Sequence, residues 1–180
     1  MVVDKLLARG TALWRRLKRP VLRWFRTHLV RGQVAECGTG LRVNGRSPVF
    51  GGGAVRLGSN VNFNGMTIHG SGGVTIGDNF HSGAGCTIYT VNHRWEGATA
   101  VPYDDQIVRE PVVIENNVWL GEHVLILPGS HIGEGAIVGA GAVVSGRVEP
   151  CAVAVGVPAR TVKHRDREEY DRLVREGRFH

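Results

Sequence analysis

From Ile114 onward an aliphatic residue returns at every sixth position: Ile114, Leu120, Ile126, Ile132, Val138 and Val144. Glycine follows it at Gly121, Gly133 and Gly139, and the positions between are mostly small or polar, as in Ile132-Gly133-Glu134-Gly135-Ala136-Ile137. Neither a helix, with its period of about 3.6, nor simple strand alternation predicts a strict return at six. A hexapeptide repeat does, and repeats of that length build a parallel β-helix in which each unit is one short strand and one corner. Three units close a triangular coil. Ile114 is then expected to stack on Ile132, Leu120 on Val138 and Ile126 on Val144.

Upstream the pattern runs more loosely through Val55, Leu57, Phe63, Ile68, Val74, Ile76 and Ile88. Gly70-Ser71-Gly72-Gly73 marks a corner, and Asn60, Asn62 and Asn64 fit turn or inward polar positions. The hexads stop between Tyr89 and Pro111, a stretch with aromatics, two prolines and mixed charge. An interruption of about 20 residues in a regular solenoid marks a functional loop. The pattern resumes at Val112 and ends near Pro150. The organisation expected is a helical segment over 1–31, a lead-in loop and first irregular coil over 32–54, a β-helix over 55–160 with its loop at 89–111, and a charged helix or tail over 161–180. The fold class is all-β, with about four or five coils at about 4.8 Å each.

Composition fits this reading. Glycine accounts for 26 of 180 residues without a collagen period, as a chain turning corners every few residues requires. Cys37, Cys86 and Cys151 are odd in number and lack CxxC spacing, and no secretory leader pattern opens the chain, so a reduced, cytoplasmic protein is expected. The net charge of +6 is uneven. Residues 1–31 carry nine Lys and Arg against Asp4, a local +8, which leaves about −2 on the remainder. The repeat region is therefore not basic, and a nucleic-acid partner is not expected.

Residues 4–30 read as one or two helices broken near Pro20. Leu6, Leu7, Leu13, Trp14, Leu17, Val21, Leu22, Trp24, Phe25 and Leu29 form an apolar stripe, and Arg and Lys occupy the other faces. Such a helix either packs on the column or a neighbouring subunit, or makes a peripheral membrane contact.

Three blocks carry a family resemblance: Pro111-Val112-Val113-Ile114-Glu115-Asn116-Asn117-Val118-Trp119-Leu120-Gly121, Ile137-Val138-Gly139-Ala140-Gly141-Ala142-Val143-Val144, and Ala154-Val155-Gly156-Val157-Pro158-Ala159-Arg160. With them the chain resembles the hexapeptide-repeat acyltransferases, nearest to the maltose and galactoside acetyltransferases and the polysaccharide O-acetyltransferases. The resemblance covers about residues 55–163. It implies a left-handed β-helix, a homotrimer, acyl-CoA (most simply acetyl-CoA) as co-substrate, and a saccharide or glycoconjugate acceptor meeting it between two columns. The loop ahead of the Asn116-Asn117-Val118-Trp119 restart would carry the catalytic histidine, His93. Trp119, Gly121 and Gly139 would flank the pantetheine, Ala140 and Ser145 would offer backbone groups, and Arg160 or Lys163 would meet the CoA phosphates. Where relatives often carry Thr-Lys, this chain has Ser145-Gly146-Arg147, so a lysine contact there is replaced or lost. Asn62 or Asn64 would stand for the acceptor-side asparagine.

The loop supplies the expected chemistry. A neutral imidazole, with a reference pKa of about 6.5, can take a hydroxyl proton as attack on a thioester begins. Direct transfer in a ternary complex needs no protein nucleophile. Glu96, Asp104 or Asp105 would orient His93, and Trp95, Tyr103, Glu96 and Asp104 would contact the acceptor. The alternatives are N-acylation of a nucleotide-linked amino sugar, which would use the same base, a zinc-dependent hydratase resembling the γ-class carbonic anhydrases, and a non-catalytic solenoid. His69, His81 and His93, twelve residues apart, invite the zinc reading. A coil of eighteen puts them on different faces, so no metal is expected.

Overall fold

The computed structural model describes residues 19–180, in which short parallel strands stack on the three faces of a column. The first face holds Glu36–Cys37, Val55–Leu57, Val74–Ile76, Val112–Ile114, His131–Ile132 and Arg147–Val148. The second holds Arg42–Val43, Asn62–Phe63, His81–Ser82, Trp119–Leu120, Ile137–Val138 and Ala152–Val155. The third holds Val49–Phe50, Thr67–His69, Thr87–Tyr89, Leu125–Ile126 and Val143–Val144. This is the parallel β-helix that the hexads imply, in the left-handed form that the family resemblance implies.

The upper register is as expected. Ile114 pairs with Ile132, Leu120 with Val138 and Ile126 with Val144. All six are buried in one continuous aliphatic core. That core also takes in Val43, Val49, Val55, Leu57 and Phe63, so the first irregular coil expected within 32–54 is part of the column, which begins at Glu36. Residues 36–50 place one strand on each face, and the column reaches five complete coils plus two strands of a sixth. The extra height escaped the hexads because the lower coils are longer. Arg42 pairs with Asn62 twenty residues on, and Val55 with Val74 nineteen on. The added residues sit at corners. Asn60, Asn79 and Asn117 adopt left-handed φ of 55°, 54° and 61° there, a conformation that asparagine tolerates better than most residues. Their amides also form a ladder, with Asn60 Nδ2 donating to Asn79 Oδ1 (3.0 Å) and Asn79 Nδ2 to Asn117 Oδ1 (2.9 Å).

Both ends of the column are covered, which protects edges that would otherwise pair with another chain. At the start lies a helix over residues 19–33, α1, described from Arg19, and the expected break near Pro20 falls at the border of the described residues. The part of the basic segment before Arg19 lies outside the described residues. Val30 of α1 is buried in the core, Thr27 Oγ1 accepts from the Val43 N–H (3.1 Å), and Arg26 Nη1 donates to the Asn44 carbonyl (2.6 Å). At the far end the chain does not leave at Val157-Pro158-Ala159. It turns back there, and Arg160–His164 pairs antiparallel with Ala152–Val155. Proline suits this turn because the turn asks it for no ladder donor. The charged tail thus opens with a strand, and its helix, α2, spans Arg167–Arg175. Asp166 caps α2 by accepting from the Glu169 N–H (2.9 Å). Tyr170 is the buried residue of α2, and it lies against Gly135, where a Cβ would sit 2.7 Å from its ring. Burial pushes the Tyr170 phenol up to about 12. Its oxygen accepts from Asn117 Nδ2 (2.8 Å) and its proton goes to Glu134 Oε1 (3.0 Å).

Candidate active site

The chain leaves the column between the third and first faces, after Tyr89, and returns at Val112. The next coil closes over the gap, with Ile76 pairing with Ile114, thirty-eight residues later. The excursion is a β-hairpin. Val91–His93 pairs antiparallel with Ile107–Arg109, and His93 sits opposite Ile107 at the last rung. Beyond that rung the tip closes on one buried carboxylate. Asp104 Oδ2 accepts from Arg94 Nε (2.9 Å), from Arg94 Nη2 and from the Thr99 N–H (3.1 Å), while Oδ1 accepts from the Gln106 N–H (3.0 Å). The Arg94 guanidinium holds the Asp104 carboxyl down to about 2, and the two backbone N–H groups add to the effect.

His93 stands just outside this knot. Its side chain is exposed, and its ring stacks on Tyr103 with centroids 3.9 Å apart and planes 16° from parallel. Among the described residues no carboxylate hydrogen-bonds to the imidazole. The expectation that Glu96, Asp104 or Asp105 orients it gives way to a stacking contact, because both oxygens of Asp104 are committed within the tip. Asp104, expected at the acceptor, has both oxygens engaged in organising the loop tip. Trp95 and Glu96 are exposed on the hairpin, and Tyr103 is half-exposed.

The remaining predicted residues lie elsewhere on the column. Trp119 is half-exposed on the second face, between His81 and Ile137 on the neighbouring rungs. Gly121, Gly139 and Ala140 follow at the edge between the second and third faces. There Gly121 has a structural reason to lack a side chain, since its Cβ would sit 2.5 Å from the Ala140 nitrogen one coil above. The N–H groups of Gly121 and Gly139 are spent on the carbonyls of Val138 (2.7 Å) and Ala154 (2.8 Å), whereas Ala140 is exposed. Asn64 shares that edge and donates to the Ser82 carbonyl (2.8 Å), its Nδ2 also lying 3.0 Å from His81 Nε2. Asn62 Oδ1 accepts from Asn44 Nδ2 (2.9 Å). Ser145 is exposed at the other edge, between the third and first faces, above the hairpin. Arg160 and Lys163 are exposed on the strand that caps the second face. The residues expected at one site thus occupy two edges and one face of a single column. Each face is about six residues long, or about 20 Å at roughly 3.3 Å per residue.

The hexads gave no sign of a cleft of ≈ 530 Å³ on the second face. Asn62, His81 and Trp119 form its floor, and Arg178, Phe179 and His180 of the returning tail form its roof. Burial, with His180 nearby, lowers the His81 pKa. The one signal in the sequence was Trp119, a large aromatic on an outward rung. His69, by contrast, is on the third face, stacked between Phe50 (5.0 Å) and Tyr89 (4.6 Å). The three histidines spaced by twelve therefore lie on three different elements. Among the described residues no cluster of His, Cys, Asp or Glu could hold a metal ion.

A column of hexads with its long break rebuilt as a histidine-bearing hairpin defines a class, the hexapeptide-repeat β-helix proteins. Comparison with known proteins narrows it. Residues 111–146 match the family described as bacterial transferase hexapeptide (six repeats). The chain is 35% identical over 119 residues to a galactoside O-acetyltransferase of Escherichia coli (strain K12), a match over 64% of this chain and 57% of that protein. A galactoside acetyltransferase solved in complex with coenzyme A superposes with a TM-score of 0.70 at 29% identity, over 86% of this chain and 82% of that one. A hexapeptide-repeat acetyltransferase from Vibrio cholerae O1 biovar eltor, solved with acetyl coenzyme A, gives a TM-score of 0.68 at 28% identity, over 77% and 76% of the two chains. The chain spans little more than half the length of the curated galactoside enzyme it matches. Residues 111–146 carry that family's repeat, and the fold is similar to that of the hexapeptide-repeat acetyltransferases.

Proposed function

We propose that this protein is an acyl-CoA-dependent O-acyltransferase that moves an acyl group, most simply acetyl, onto a hydroxyl of a saccharide or glycoconjugate. The observation that carries the reading is the hairpin, a rigid arm built on buried Asp104 that presents an otherwise unpaired imidazole at the column's edge. His93 would take the acceptor hydroxyl proton as that oxygen attacks the thioester carbonyl. The tetrahedral intermediate then collapses, the carbon–sulfur bond breaks, and the imidazolium returns its proton to the departing thiolate. Trp119 and Ala140 would lie along the pantetheine, with Arg160 and Lys163 toward its phosphates. Asn64, Trp95 and Glu96 would face the acceptor.

The split of these residues over two edges argues for a homotrimer. If each column sets its hairpin edge against the Gly121–Ala140 edge of the next, His93 of one copy and the CoA groove of its neighbour complete one site. Acyl-CoA supply places the reaction in the cytoplasm. The test is thiol release from acetyl-CoA across a panel of saccharide acceptors. His93→Ala is expected to lose at least about a hundredfold in rate, the usual span of a general base. A variant that turns over at the wild-type rate removes His93 from the mechanism.

A further inference from the structure

The face of α1 that points away from the column has no partner among the described residues. Val21, Trp24, Phe25 and Leu29 are each more than half exposed there, and Leu22 is little less so. With successive residues about 100° apart, these side chains occupy an arc of about 160°. Val30, Thr27 and Arg26, which hold α1 to the first coil, lie on the opposite side. At the same spacing Arg31 borders the arc on one side, while Arg19 and Arg23 fall on the column side of α1. An exposed Trp-Phe-Leu stripe on a strongly basic segment matches what a bilayer interface offers, acyl chains below and phosphates beside.

We propose that α1 is an interfacial helix that seats the end of the column on an anionic lipid bilayer. Charge decides between this occupant and a second copy of the chain. Residues 1–31 carry +8, which an anionic bilayer complements over its whole surface, whereas the rest of the chain, which another copy would offer, carries a net charge of only about −2. Spanning is a separate matter, because no described helix is long and apolar enough to cross a membrane. The inference does not depend on the acyl-transfer reading, since it concerns the opposite side of α1 from every proposed site residue.

The test is flotation of the full chain with vesicles of phosphatidylcholine alone or of equal parts phosphatidylcholine and phosphatidylglycerol. The wild type is expected to float with the anionic vesicles, less so in high salt, and to stay below with the neutral ones. Trp24→Glu with Phe25→Glu should lower the partition at least about tenfold. Arg31→Gln, at the border of the stripe, should lower it by about fivefold, which corresponds to about 1 kcal/mol. Both variants should keep the wild-type mass in solution. The proposal fails if the wild type floats with neither vesicle or equally with both, or if the glutamate variant floats as well as the wild type. It fails equally if the glutamates change the oligomeric mass without lipid, for the stripe would then be a contact between chains.

Discussion

The stack of His93 on Tyr103 makes a prediction that separates positioning from binding. With centroids at 3.9 Å and planes 16° apart, the two rings are in face contact, and no hydrogen bond to a carboxylate shares the task of orienting the imidazole. Aromatic pairs contribute about 0.5–1.5 kcal/mol beyond the area they bury, and the exposure of both rings favours the lower half of that range. Tyr103→Ala should therefore cost roughly 0.5–1 kcal/mol of orientation, a fall of about two- to fivefold in kcat. The phenol oxygen takes no part in the stack, so Tyr103→Phe should restore the wild-type rate. The assay is thiol release from acetyl-CoA with acceptor varied, so that kcat and KM are read separately. A positioning residue lowers kcat and leaves the acceptor KM unchanged. If KM rises with kcat constant, Tyr103 binds acceptor instead. If Phe is as poor as Ala, the hydroxyl matters and the stacking argument is wrong.

Asp104→Asn should loosen the hairpin tip at neutral pH, read as faster proteolysis between residues 94 and 106 and a shift in Trp95 emission. In the wild type the same carboxyl is held down to about 2, so its ionised form favours the closed tip. That contribution is intact above about 4 and is lost as the pH falls toward 2, and a tip that stays closed through this window would contradict it. In the column, Ile114 is fully buried between Ile76 and Ile132, and Ile114→Ala should cost about 2–5 kcal/mol in denaturant unfolding. A loss well below 1 kcal/mol would mean that the core refills the gap.

How much could be read in advance differs along the chain. From Val112 to Val144 the rungs pair at a strict eighteen, so every inward aliphatic residue announces its face, and only the last coil shortens to sixteen. Below, coils of nineteen and twenty residues shift the inward set by a position at each added corner residue, and a strand two residues long is too short to re-establish the phase. Glu36–Cys37, Arg42–Val43 and Val49–Phe50 were therefore hidden in an apparent lead-in. The hairpin was legible as an interruption, and His93 as a histidine that it carries. The commitment of Asp104 was not, since nothing along the chain distinguishes it from Asp105. One is buried under Arg94 and the other is exposed.

Period, interruption and composition were enough to specify a triangular column with one long excursion, because those features arise from neighbours close in sequence or repeated along it. The direction of α1 was beyond their reach. Its stripe is equally apolar whether it faces the column or the solvent, and only contacts with Val43 and Asn44 turned it outward. The division of the proposed site between two edges was equally hidden, since it follows from how coils of unequal length stack in space. That stacking rests on pairing between residues sixteen to thirty-eight positions apart, and no local pattern encodes which of them meet.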